Sequence, residues 1–154
     1  MKRVEVRLNL EVVAPLLDVM KAAADDLGPR LAIESAVPDA DDRDFRDAWE
    51  SELLGGQTDD IQVLLALFDV DFFASGMIAL DSENSEAVLR ACSALRLRIR
   101  EAHLKPLGDE NLESGEVPLD EMPEDQRKAF AAYVFLATLQ ELIVEHLDPT
   151  APEA

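Results

Sequence analysis

The stretch from residue 123 to residue 147 constrains the fold of this chain more than any other segment. Its apolar residues recur at helical spacing on nearly every side, and polar residues occupy only a narrow seam. A helix that is apolar all round is normally buried at the centre of a helical bundle. Residues 59–74 have a similar pattern, with apolar side chains on two opposite faces. We therefore expect these two helices to lie side by side at the centre of the molecule.

The rest of the chain predicts a mainly α protein, a bundle of about five helices with a small two-stranded β ribbon. Residues 3–8 alternate between polar and apolar, and residues 76–80 form a short apolar run. Because an isolated strand this short needs a partner, we expect these two segments to pair. Helical spacing predicts three further helices. They run from Asn9 to Gly28, from Asp39 to about Leu54 with an end at Gly55-Gly56, and from Asp81 or Ser82 to about His103.

The length and composition fit one folding unit. With 154 residues, of which 48% are hydrophobic, the chain can bury a substantial core. We expect a single helical domain over residues 1–147 and a disordered tail over residues 148–154, which contain two prolines. Residues 109–125 carry eight acidic and no basic residues, and we expect them to form a solvated loop.

The charge balance limits the classes of partner. Lysine and arginine number 14 against 33 aspartates and glutamates, which gives a formal net charge of −19. Such a charge repels nucleic acid and anionic lipid. No apolar run approaches the roughly 20 residues that span a bilayer. We therefore expect a protein partner, with a homodimer as one form, and neither nucleic acid nor a membrane.

The use of cysteine favours the cytoplasm. A lone cysteine, Cys92, cannot form an internal disulfide, which is typical of a reducing compartment. The first eight residues alternate in polarity, and no signal-peptide core follows them. We expect Cys92 to be a small buried apolar side chain rather than a nucleophile.

No motif predicts a catalytic residue, a cofactor or a bound metal. Asp69 and Asp71 resemble the D-x-D loop of haloacid-dehalogenase-type phosphatases, but helical periodicity places them on a helix surface, where residues two apart do not face each other. Residues 39–44 lack the glycine and glutamate of a calcium loop. His103 and His146 have no partner at metal-ligand spacing.

One structural ion pair is predicted from the arginines of the helix that contains Cys92. Arg96 lies between Leu95 and Leu97, close to the expected buried face, and a buried guanidinium needs a partner. Glu141 is the candidate because it lies among apolar residues of the last helix.

The same residues carry a family resemblance. Leu95-Arg96-Leu97, followed by Tyr133-x-x-Leu136-x-x-Leu139-Gln140-Glu141, resembles an uncharacterised bacterial family, a domain of unknown function. Its order of elements is also similar, with a strand, a helix, an acidic stretch and a short strand before the Leu-Arg-Leu helix. The resemblance implies no activity. The genes of the family that this chain resembles often lie near that of an adaptor for the Clp protease, so the resemblance favours an adaptor or regulatory role.

The leading functional hypothesis is a non-enzymatic cytosolic protein-interaction or regulatory module that associates with itself. Two highly apolar helices in a small domain favour this interpretation, because one bundle need not cover both, and uncovered apolar surface indicates an interface. A monomer whose other helices cover both of these helices is the competing expectation for the oligomeric state. Two alternative functions also stay open. One is an acidic binder of a basic protein partner, and the other is an enzyme without a recognisable motif.

Overall fold

The structure, a computed structural model, describes residues 3–28, 30–32 and 43–147, apart from the side chain of Asp109. Two strands and six α-helices follow one another along these ranges: β1 (Arg3–Arg7), α1 (Leu10–Leu27), α2 (Arg43–Ala66), α3 (Val70–Ser75), β2 (Met77–Asp81), α4 (Ser85–Ile99), α5 (Asp109–Ser114) and α6 (Glu124–His146). A π-helical turn (Arg100–Leu104) and a 3-10 turn (Lys105–Leu107) extend α4. The prediction of a mainly α fold with a small ribbon is confirmed.

The ribbon consists of the two segments that the sequence predicts. β1 and β2 pair antiparallel, with Val4 opposite Leu80 and Val6 opposite Ile78. Ile78 and Leu80 are buried, whereas Arg3, Glu5 and Arg7 are exposed. Since alternate residues of a strand face opposite sides, this register places the apolar side of the ribbon against the helices.

Gly76 makes the entry to β2 possible. Its φ of +75° is left-handed, and its N–H donates to Phe72 O at 2.7 Å to end α3. The Leu8 N–H donates to Gly76 O at 2.7 Å, which brings the end of β1 against this turn. A Cβ atom on Gly76 would lie 2.9 Å from Leu8 O, so a side chain would collide with backbone.

We expect Gly76→Ala to lower the free energy of unfolding by about 1–2 kcal/mol, because it adds a steric clash to the cost of a left-handed alanine. Gly115→Ala is the matched control, since Gly115 has a φ of +76° and nothing within 4 Å of a Cβ atom. Urea denaturation of both variants measures the difference. Equal losses of stability in the two variants would show that the chain relieves the clash with Leu8 O at no cost in free energy.

The chain passes through Gly55-Gly56 without leaving the helix, so the predicted helix end at this point is wrong. α2 runs unbroken from Arg43 to Ala66, and neither glycine has a positive φ. The expected helix over residues 59–74 is instead interrupted at residues 67–69, where Asp69 caps α3. Glycine lowers helix stability by only about 1 kcal/mol relative to alanine, so the helical pattern on both sides outweighs it.

The central helix of the described chain is α4, and the expectation that residues 59–74 and 123–147 form the centre is wrong. α4 packs against α1, α2 and α6, and an ion pair between Arg98 and Asp26 also joins it to α1. α6 buries one side only, while Val134 and Val144 are 44% and 55% exposed. The apolar residues of α6 therefore exceed what its neighbours cover.

The acidic segment over residues 109–125 is more ordered than the sequence predicts. It contains α5 and a 3-10 turn (Leu119–Glu121), and its Leu112 and Met122 are buried in the core. Two apolar side chains at this spacing give no clear periodicity, which explains why the sequence predicts a solvated loop.

The disordered tail predicted over residues 148–154 and most of the calcium-like segment, residues 39–42, lie outside the described residues.

Candidate functional site

A groove of about 550 Å³ lies between α2 and α4. Apolar side chains form most of its lining: Leu53 comes from α2, Leu89 and Ala94 come from α4, and Leu31 and Ala32 come from the segment after α1. Gly56 also lines the groove, and a Cβ atom there would meet nothing within 4 Å. The absence of a side chain at Gly56 therefore widens this groove.

An ion pair between α2 and α4 closes one side of the groove. The Arg90 guanidinium donates from Nε to Asp60 Oδ2 at 2.9 Å and from Nη2 to Asp60 Oδ1 at 3.0 Å. Hydrogen bonding to Asp60 raises the pKa of Arg90, and burial opposes this shift. Since the carboxylate of Asp60 is only 15% exposed and has both oxygens occupied, it is a structural link rather than an available acid or base.

Gln57 holds the segment after α1 against the groove. Its Oε1 accepts from the Ala32 N–H at 2.9 Å, and its Nε2 donates to Arg30 O at 3.0 Å. The amide thus satisfies one donor and one acceptor of a backbone that has no regular secondary structure.

Gln140 joins α6 to α4 at the groove. Its Oε1 accepts from Arg96 Nη1 at 2.8 Å, and its Nε2 donates to Leu89 O at 3.0 Å and to Ser93 Oγ at 2.8 Å. The Arg96 guanidinium also lies 4.5 Å from the centre of the Tyr133 ring, a cation–π contact. Both the oxygen and the nitrogen of the Gln140 side-chain amide therefore make hydrogen bonds within the fold.

The structure gives Arg96 a different partner from the one that the sequence predicts. Gln140 takes the place assigned to Glu141, which is exposed on α6. Successive residues of a helix are rotated by about 100°, so only one of these two neighbours can face α4. The Arg96 guanidinium thus contacts the neutral amide of Gln140 and the aromatic ring of Tyr133.

The carboxylates that resemble a phosphatase loop have a structural role. Asp69 Oδ1 accepts from the Phe72 N–H at 3.1 Å and caps α3, while Asp71 is exposed in the first turn of that helix. Among residues 3–28, 30–32 and 43–147, no three His, Cys, Asp or Glu side chains are placed to hold a metal ion. His103 and His146 are exposed and lie on different helices.

A second surface lies on the side of α6 that faces away from the bundle. We define the α6 outer face as six exposed residues whose spacing alternates between four and three: Arg127, Ala131, Val134, Thr138, Glu141 and Glu145. The Thr138 hydroxyl donates to Val134 O at 2.9 Å. The middle of this face is small or apolar, and its two ends carry opposite charges.

Most of the chain matches one protein family. The sequence profile of the Domain of unknown function (DUF2017) family matches residues 6–147. The chain belongs to this family. No curated protein and no solved structure matches it. In this DUF2017 chain, the matched range includes α2, α4 and α6, so the groove and the α6 outer face both lie within the family domain.

Two further features bear on what this DUF2017 chain can do. None of the helices in its described ranges is long and apolar enough to cross a lipid bilayer. The Cys92 side chain is fully buried, and desolvation raises the pKa of its thiol to about 12, against a smaller opposing effect of Arg96. A thiol with this pKa has almost no nucleophilic thiolate at neutral pH.

We expect Cys92 of the native protein to resist alkylation by iodoacetamide at pH 8 and to react fully in urea. The raised pKa also means that the folded state holds the thiol proton more tightly than the unfolded chain. The free energy of unfolding should therefore fall as pH rises from the ordinary value of 9.0 towards 12. Intact-mass spectrometry measures the labelling. Rapid modification of the native protein would contradict the burial of this side chain.

Proposed function

We propose that this chain is a cytoplasmic protein-interaction module that associates with itself and acts by binding rather than by catalysis. The observation that carries the proposal is the α6 outer face, an exposed face on a helix whose apolar residues exceed what the bundle covers. Val134 is 44% exposed at the middle of this face, and Ala131 and Thr138 are exposed beside it. Burial of such a surface against another protein is favourable because it removes apolar area from water.

The chemistry of the groove supports a binding role. Asp60 and Arg90 occupy each other, and Gln140 is occupied by Arg96, Ser93 and the backbone of Leu89. A group that acts as a catalytic acid, base or nucleophile must be free to reach a substrate. The remaining acidic side chain of the lining is Glu52, and most of the other lining side chains are apolar. A mostly apolar lining suits binding better than it suits the alternative of an undetected enzyme.

Sedimentation velocity at micromolar concentrations tests the proposal. We expect the protein to sediment as a dimer that dissociates on dilution. Val134→Glu should shift the equilibrium towards the monomer, because it places a carboxylate in an apolar contact. Val12→Glu is the matched control, since Val12 is 60% exposed on α1 and receives the same change. A parent protein that stays monomeric at these concentrations refutes self-association.

The exposed half of α2 favours a second candidate, the binding of a basic protein segment. Residues 43–60 carry six acidic and two basic residues, and all ten residues from 43 to 52 are exposed. Glu52 stands at the apolar groove itself. A segment that combines apolar and basic side chains would match both the lining and the charge of this region.

A lysine-rich amphipathic peptide is the probe for this candidate. We expect its affinity to fall steeply as salt is added, because screening weakens the attraction to α2. Gly56→Leu should block binding by filling the groove, whereas Gly55→Leu should not, since Gly55 is equally open but lies outside the lining. Peptide binding that survives Gly56→Leu, or that ignores salt, refutes the candidate.

A further inference from the structure

We infer that two copies of this chain pair antiparallel along their α6 outer faces, with Val134 at the two-fold axis and Arg127 of each copy opposite Glu141 of the other. This inference rests on the proposed self-association and specifies its surface and orientation. It commits to one occupant of the α6 outer face, a second copy of the same helix.

The spacing of the exposed residues suits helix-to-helix packing. The intervals along the face alternate between four and three residues, which is the spacing of a seam between two helices packed at a shallow angle. Ala131 and Thr138 flank Val134 and are small, so two helix backbones can approach closely there. The Thr138 hydroxyl already has an acceptor in Val134 O, so its burial leaves no donor unsatisfied.

The charges at the two ends determine the orientation. Arg127 lies seven residues before Val134 and Glu141 lies seven residues after it, about 10.5 Å along the helix in each direction. A two-fold axis through Val134 therefore brings Arg127 of one copy level with Glu141 of the other, and it does so twice. A parallel pair would instead place Arg127 against Arg127 and Glu141 against Glu141, which costs free energy.

The composition of the chain gives these contacts weight. With 14 basic against 33 acidic residues, most pairs of surfaces on two copies would juxtapose carboxylates. The α6 outer face instead presents a cation at one end and carboxylates at the other. Two cross-copy ion pairs offset part of the general repulsion at the place where apolar surface is also available.

Charge reversal tests the antiparallel orientation. Sedimentation equilibrium measures the dissociation constant of the dimer for each variant. Arg127→Glu and Glu141→Arg should each weaken the dimer by about tenfold or more, because each places like charges opposite one another twice. The double variant R127E/E141R restores opposite charges and should recover most of the parent affinity. Arg46→Glu and Glu50→Arg, two exposed changes on α2, are controls for net charge and should leave the constant near that of the parent.

The outcomes separate this inference from the proposed function. A monomeric parent protein overturns self-association and the pairing together. A dimer that tolerates both single reversals, or that the double variant fails to restore, overturns the antiparallel pairing and leaves self-association in place through another surface. Circular dichroism of each variant shows whether the helical fold is kept. Loss in both single variants with recovery in the double variant supports the stated register.

Discussion

Leu95→Ala is expected to lower the free energy of unfolding by about 3–5 kcal/mol, the largest effect of any substitution considered for this chain. Leu95 is fully buried in α4, the helix that packs against α1, α2 and α6. Truncation removes apolar contacts and leaves a cavity that three rigid neighbours cannot close. Urea denaturation monitored by circular dichroism measures the change in the free energy of unfolding.

Leu119→Ala is the matched control for this prediction. Leu119 lies in a 3-10 turn and is 48% exposed, so the same truncation should change stability by no more than about 0.5 kcal/mol. A small effect at Leu95 would mean that α4 is not the central helix.

Gln140→Leu is expected to cost about 2–3 kcal/mol, although it replaces a polar side chain by an apolar one of similar size. The change removes the acceptor of Arg96 Nη1 and the donor to Ser93 and to the backbone of Leu89. Hydrogen bonds to charged groups contribute about 1.5–3 kcal/mol, and a partly buried guanidinium without its acceptor is costly. Thermal or urea unfolding measures the loss.

Gln62→Leu provides the comparison, because Gln62 is an exposed glutamine on α2. It should change the free energy of unfolding by less than about 0.5 kcal/mol. If Gln140→Leu proves equally neutral, the link between α4 and α6 contributes nothing to stability. Arg96 would then be held by Tyr133 alone.

The parts of the fold that the sequence predicts correctly depend on local patterns. Residues 3–8 alternate in polarity, and the apolar residues 77–80 directly follow the turn at Gly76. These two patterns predict the pairing of β1 with β2 that the structure shows. The cap at Asn9 is also local, and the Asn9 side chain accepts from the Glu11 and Val12 N–H groups. Cys92 lies within a helical apolar stripe, and its burial follows from that stripe.

The errors arise where distant residues decide the outcome. Gly55-Gly56 is a strong local signal for a helix end, yet α2 continues because residues 57–66 pack on α4. The partner of Arg96 depends on the rotation of α6 about its axis, and a shift of one residue exchanges Glu141 for Gln140. The groove combines side chains from residues 31–32, α2 and α4, which no short pattern brings together.

The exposed first half of α2 has a consequence for the dynamics of the molecule. Residues 43–52 are all exposed, whereas Ile61 and Leu64 of the same helix are buried. Gly55-Gly56 lies between these two parts, and glycine is among the weakest helix formers. We therefore expect the hydrogen-exchange protection of backbone amides in α2 to rise across the two glycines towards the buried part of the helix.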